Sequence, residues 1–180
     1  AKDEPNNFKI KQAILRTLLR LGRCGDARKQ AEKNLLDFPE QKEIKFYHLQ
    51  SLVCLEEYNQ FSENFEDSQN TFNWKESPII LARASQTYFE QDMLEKMEVS
   101  LQTCLQLDAS YPECYYWSWK LSQKKGQSAL SEARKYLSIC KKSDGKVLKR
   151  YLKDPFVCSH YKELLADVEN NPPKTSSEPL

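Results

Sequence analysis

Leu15-Arg16-Thr17-Leu18-Leu19-Arg20-Leu21-Gly22-Arg23-Cys24-Gly25-Asp26-Ala27-Arg28-Lys29-Gln30-Ala31-Glu32-Lys33-Asn34-Leu35-Leu36-Asp37-Phe38-Pro39 is followed by a second copy of its plan. Thirty-four residues separate Leu15 from Leu49, Ala27 from Phe61, Ala31 from Phe65 and Asn34 from Ser68. A fixed period of that length is the signature of a helix-turn-helix unit stacked into a solenoid. Within the quoted stretch, Gly22 and Gly25 interrupt one helix, Asp26 opens the next, and Pro39 stops it. Ala27 and Ala31 lie one turn apart on the second helix, where their small side chains let two backbones approach.

Outward from this unit the plan continues. Helices are expected over about 7–21, with Asn7 as N-cap and Ile10, Ile14, Leu18 and Leu21 as the apolar face, and then over 26–37, 40–55 and 58–70. Phe61 and Phe65 replace the alanines in the second unit, making it the least regular one. After the connection 71–77, Pro78 starts a helix to Glu90, with Ser77 as its N-cap. Further helices follow over 93–107, 114–124 and 129–142. Leu101 follows Phe65 by thirty-six residues, so two residues have been inserted between them.

The chain has 180 residues, enough for one domain with a substantial core. Gly is scarce at 4, and no stretch alternates apolar and polar residues long enough for a strand, so the fold is all-α. Lys+Arg 27 against Asp+Glu 26 leaves no overall field to draw nucleic acid or an anionic membrane. No apolar run is long enough to span a bilayer. The polar start, residues 1–7, is no signal peptide and reads as a flexible extension of a fragment or processed form. The cysteines Cys24, Cys54, Cys104, Cys114, Cys140 and Cys158 are scattered, which points to reduced thiols and a cytoplasmic or nuclear protein. Cys104 and Cys140 fall in small-residue slots between helices.

The series Leu21-Gly22, Gly25-Asp26-Ala27, Ala31, Asn34-Leu35 and Phe38-Pro39 recurs in outline at Leu101, Cys104-Leu105, Leu107-Asp108 and Tyr111-Pro112-Glu113. It recurs again at Gly126, Ala133, Leu137 and Cys140. In these features the chain resembles the tetratricopeptide repeat over about 8–142. The resemblance implies a right-handed superhelical solenoid of about four antiparallel helix pairs, with repeats near 8–40, 41–74, 77–110 and 111–144. Capping helices follow over 146–169, where Lys153-Asp154-Pro155-Phe156 looks like the solvating end of such an array, and a disordered tail over 170–180. It also implies a scaffold that receives a partner peptide or amphipathic helix in a concave groove lined by the first helix of each pair.

On that basis the groove residues are Lys9, Gln12, Arg16 and Arg20 on the first helix, Phe46 and Gln50 on the second lining helix, Ile79 and Arg83 on the third, and Tyr116 and Lys120 on the fourth. Lys9, Gln12, Arg16 and Arg20 form a basic sector suited to carboxylates or phosphates, and the apolar middle suits an amphipathic segment. The asparagines of the family's carboxylate clamp for chaperone C-termini are absent. Two other readings stand beside this one. The basic stretch 120–153 with Tyr115, Tyr116, Trp117 and Trp119 could hold RNA by phosphate contact and base stacking. Alternatively, the end helices could pack against another subunit of a complex. His48 and His160 stand in no metal-ligand spacing, and no phosphate loop or nucleophile elbow occurs, so neither catalysis nor a metal nor a cofactor is expected.

Overall fold

The structure, a computed structural model, describes residues 5–68, 72, 76–141, 149–151 and 153–171, with the side chains of 5–7 and 67–68 left aside. The expected extension 1–7 lies outside them up to residue 4. So do most of the connection 71–75, residues 142–148 and the tail from 172 onward. Among the described residues there are nine α-helices and no strand. They are α1 Pro5–Arg20, α2 Cys24–Asp37, α3 Lys42–Cys54, α4 Tyr58–Ser68, α5 Ser77–Glu90, α6 Leu94–Leu107, α7 Pro112–Lys124, α8 Leu130–Lys141 and α9 Tyr161–Asn170. Helices α1 to α8 pair in sequence, and the lining helices α1, α3, α5 and α7 also touch one another in turn. The result is a solenoid of four helix pairs, with α9 packed on α8 at its end.

The corners reproduce the repeat more faithfully than the sequence does. Backbone with positive φ occurs at Gly22, Glu56, Asp92 and Gly126, at intervals of 34, 36 and 34 residues. At each corner this residue's N–H reaches the carbonyl three residues back, and the N–H of the next residue reaches the carbonyl five residues before itself. The pairs are Gly22 to Leu19 with Arg23 to Leu18, and Glu56 to Val53 with Glu57 to Leu52. Asp92 to Phe89 with Met93 to Tyr88, and Gly126 to Gln123 with Gln127 to Ser122, complete the set. That is the Schellman cap, which satisfies the orphan carbonyls at a helix end. Glycine occupies it without strain, whereas Glu56 and Asp92 hold a conformation that L-residues disfavour. Gly25 is not part of the turn and lies in the first turn of α2.

Packing fills the space between pairs. Ala27, Phe61, Met97 and Ala133 are wholly buried at equivalent points on the second helix of each pair. Phe61 and Phe65 stack at 5.4 Å and supply the bulk that alanines leave out. The inward face of α1 is Leu15 and Leu19, while Ile10, Ile14 and Leu21 are 58%, 45% and 66% exposed. Of the expected apolar stripe Leu18 packs against the core, while Ile10, Ile14 and Leu21 lie outside it. Helix α5 begins one residue before Pro78, with Glu76 rather than Ser77 at its N-cap position.

The expectation of unpaired thiols is overturned. Cys24 is bonded to Cys54, Cys104 to Cys114 and Cys140 to Cys158, with Cα atoms 5.9, 6.2 and 5.8 Å apart. Each bridge joins one unit to the next: α2 to α3, α6 to α7, and α8 to the chain ahead of α9.

Candidate functional site

Helices α3, α5 and α7 carry the wall that the sequence assigns to the groove, and the chain itself lies against it. Residues 153–160, between the last pair and α9, run along this wall. Gln50 on α3 donates from Nε2 to the carbonyl of Lys153 at 3.4 Å, and the Lys153 ammonium pairs with the buried carboxylate of Glu76. Asp154 is wholly buried. Its Oδ1 accepts from Arg83 Nη2 at 3.1 Å and from the amide of Phe156 at 2.9 Å, and its Oδ2 accepts from the Tyr111 hydroxyl at 2.5 Å. The Arg83 guanidinium also lies 4.9 Å from the centre of the Phe156 ring.

The second half of the segment is gripped by α7 and α8. Glu113 Oε1 accepts from the Cys158 amide at 2.9 Å and from the Tyr136 hydroxyl at 3.3 Å, and the His160 amide donates to that same hydroxyl at 3.0 Å. The His160 ring stacks on Tyr116 at 3.6 Å. Tyr116 and Lys120 donate to the two carboxylate oxygens of Glu163 on α9, at 3.0 and 2.8 Å, and Trp119 donates to Asp167 at 3.0 Å.

Burial sets the charge states. Desolvation drives the Glu113 carboxyl up to about 8, with the nearby Asp154 carboxylate pushing the same way against the pull of Arg83. Desolvation and the Arg83 charge depress the His160 imidazole to about 4. At neutral pH both groups are therefore uncharged, and their 3.7 Å approach is a contact between neutral groups rather than an ion pair. The Tyr111 hydroxyl is pushed well up by burial and by Asp154. Desolvation works against the Arg83 charge, but the Asp154 carboxylate opposes it by charge and by hydrogen bond, and the guanidinium is held above its ordinary range. The cluster thus holds one cation against one carboxylate, the arrangement in which a buried ion pair persists.

The sequence-assigned groove residues fall into two sets. Phe46, Gln50, Ile79, Arg83 and Tyr116 are at most 4% exposed. Phe46 packs on Tyr47 and Phe72, whereas Gln50, Arg83, Tyr116 and Lys120 are engaged by 153–160 or α9. By contrast Lys9 and Arg20 are exposed and Gln12 and Arg16 half-buried. Arg16 and Arg20 lie near enough to Tyr47 on α3 for their charges to oppose the burial that raises its hydroxyl to about 12. The residues that do most of the holding, Asp154, Tyr111, Glu113, Tyr136 and Glu76, were not legible as site residues.

Three of the four rings beside the basic C-terminal stretch are buried, and Tyr115 is half-buried. Tyr116, Trp117 and Trp119 are buried at 4%, 4% and 3% exposure. Lys124 pairs with Asp92, Lys125 with Glu98 and Arg150 with Asp108. Base stacking on those three rings has no open face. Among the described residues no group of His, Cys, Asp or Glu side chains could hold a metal ion, and no helix is long and apolar enough to cross a membrane.

The wall offers an amide donor for a backbone carbonyl, a carboxylate and a hydroxyl as acceptors for backbone N–H groups, an arginine and a tyrosine for a carboxylate, and a guanidinium face for a ring. These groups hold the chain's own turn-forming stretch 153–160 through both its backbone and its side chains. No protein-family model matches the chain, and no curated protein is significantly similar to it. Its structure is similar to the crystal structure of a thermophilic tetratricopeptide-repeat (TPR) protein of Thermus thermophilus, with TM-score 0.65, 15% identity and 92% of each chain covered. With that match the four corners, the small-residue slots and the paired helices have one common description: the chain has the tetratricopeptide-repeat fold.

Proposed function

We propose that the protein is an interaction scaffold that binds an extended or amphipathic segment of a partner protein on its concave face, entering over α1 and α3. The observation that carries this is the contrast along one wall: its α5 and α7 part holds a turn-rich stretch of the chain itself, residues 153–160, while on α1 Lys9 and Arg20 are exposed and Gln12 and Arg16 half-buried. Guanidinium groups in this position suit a partner rich in carboxylates. Selection of acidic amphipathic peptides against the folded chain tests the reading. Binders should lose at least about tenfold in affinity with Arg16→Glu and Arg20→Glu together, at an unchanged melting temperature, in keeping with a loss of about 1.4 kcal/mol or more. Peptides that bind the reversed form equally well would remove α1 from the site.

A second reading, assembly with another subunit, is favoured by one observation. Ile10, Ile14 and Leu21 form an exposed stripe at the open end of the stack, where a further helix would fit. Sedimentation should then show association that Ile10→Lys with Ile14→Lys abolishes. The pairing of all six cysteines fits a compartment in which disulfides form and persist, in place of the reducing cytoplasm or nucleus expected from unpaired thiols. Alkylation of the denatured, unreduced chain should modify no cysteine.

A further inference from the structure

Residues 153–160 meet the groove as a ligand would. A carboxylate enters the Arg83 and Tyr111 pair, a phenyl ring lies on the guanidinium, and backbone groups are read by Gln50, Glu113 and Tyr136. The fit is incomplete. Gln50 Oε1, Arg83 Nε and Glu113 Oε2 are buried and make no hydrogen bond among the described residues. A cleft of about 140 Å³ lined by Val53, Gln86, Phe156 and Ser159 remains beside the segment. The segment is also pinned from outside the wall, since Cys158 is bonded to Cys140 at the end of α8, 18 residues earlier.

We propose that residues 153–160 are a tethered competitor for the C-terminal half of the groove. That half is a second peptide site, for turn-forming segments carrying a carboxylate two residues before an aromatic ring, and the Cys140–Cys158 bridge controls how readily it opens. The inference rests on the concave face being a peptide-binding surface. A short tether gives a segment a millimolar effective concentration at its site, so an outside peptide competes poorly while the tether is tight. The bridge tightens it by removing the looser arrangements of the closed loop. A dithiol reductant loosens it by passing two electrons and two protons to the sulfurs, leaving two thiols and an oxidised, cyclised reductant.

The probe is an eight-residue, end-blocked, fluorescein-labelled peptide with the sequence of residues 153–160 and Cys158→Ser, followed by anisotropy with the full chain. Cys140→Ser with Cys158→Ser in the protein should bind it at least about tenfold more tightly than the oxidised chain does. Asp154→Asn in the peptide should abolish that gain. A dithiol should bring the unaltered chain to the level of the double variant treated in the same way, which controls for the Cys24–Cys54 and Cys104–Cys114 bridges that the reagent also opens. Should the double variant fail to fold, Phe156→Ala with all bridges intact weakens the competitor from its ring, and a rise of threefold or more in peptide affinity is expected. Folded proteins of either kind that bind the peptide no better than the oxidised chain would make the segment a permanent cap. Arg16→Glu with Arg20→Glu should leave this binding intact, so loss of the α1 site alone would be recognisable as a failure of the first reading only.

Discussion

The two halves of the concave wall come from equivalent helices and differ in what lies on them. Over α5 and α7 the chain has laid down its own segment, with Arg83 and Asp154 both under 4% exposed and Glu113 wholly buried. Over α1, Lys9 and Arg20 are exposed and Gln12 and Arg16 half-buried, while α3 between the halves already gives Gln50 to the segment. The difference teaches that the scaffold does not by itself decide occupancy. The decisive residues sit on the passing segment, Lys153-Asp154-Pro155-Phe156, whose acid meets Arg83.

The largest expected effect breaks the filled half. Arg83→Ala leaves the Asp154 carboxylate buried beside Tyr111 with no cation, and should cost about 3–5 kcal/mol in urea unfolding, whereas Arg16→Ala should stay within about 0.5 kcal/mol. Equal, small losses at the two positions would erase the distinction between the halves.

The open half depends on the close approach of its back helix. Ala31→Leu should cost about 1–3 kcal/mol by overpacking a fully buried contact. An unchanged unfolding midpoint would mean that the contact is looser than it looks.

Titration sharpens the comparison, because the filled half has a group that changes charge near neutrality. Glu113 stands at about 8 when folded, against an ordinary 4.5, so between those values the native state holds a proton that the unfolded chain has released. Stability is therefore highest at the acid end of that interval and falls as pH rises toward 8, by at most about 1.4 kcal/mol per unit. His160 acts oppositely: depressed to about 4 from 6.5, it makes stability rise with pH below 6.5. The Glu113 slope should thus stand alone between pH 6.5 and 8. Glu113→Gln should flatten it, and a slope that survives the substitution would assign it elsewhere.

The smallest effect tests what the halves share. Glu56→Gly and Asp92→Gly, one corner in each half, should each gain about 0.5–1 kcal/mol by relieving left-handed backbone. A loss at either would mean that its side chain contributes more than its conformation costs.

Much of the fold was legible because it is local and periodic. The interval of 34, the alanine slots and the two inserted residues ahead of Leu101 all reappear, and the corners at Glu56 and Asp92 fall where the missing glycines would stand. What was not legible depends on the ends and on long-range contact. Ile10 and Ile14 make a good helical stripe, yet on an end helix the stripe and the buried face need not coincide, and Leu15 with Leu19 turned inward instead. Cys24 and Cys54 are 30 residues apart in sequence and meet only because α2 and α3 pack side by side. Asp154 was read as part of a solvating end. An acid before proline in an otherwise basic stretch was the available signal, and its partner Arg83 lies 71 residues away.

Hydrogen exchange at the amides of Phe156, Cys158 and His160 tests the central claim most directly, since their acceptors are Asp154, Glu113 and Tyr136 inside the groove. A filled groove predicts that these three amides exchange far more slowly than an unstructured peptide of the same sequence, and that Arg83→Ala releases them together. Exchange at the free-peptide rate in the unaltered chain would show that the segment does not lie in the groove and that the two halves are alike.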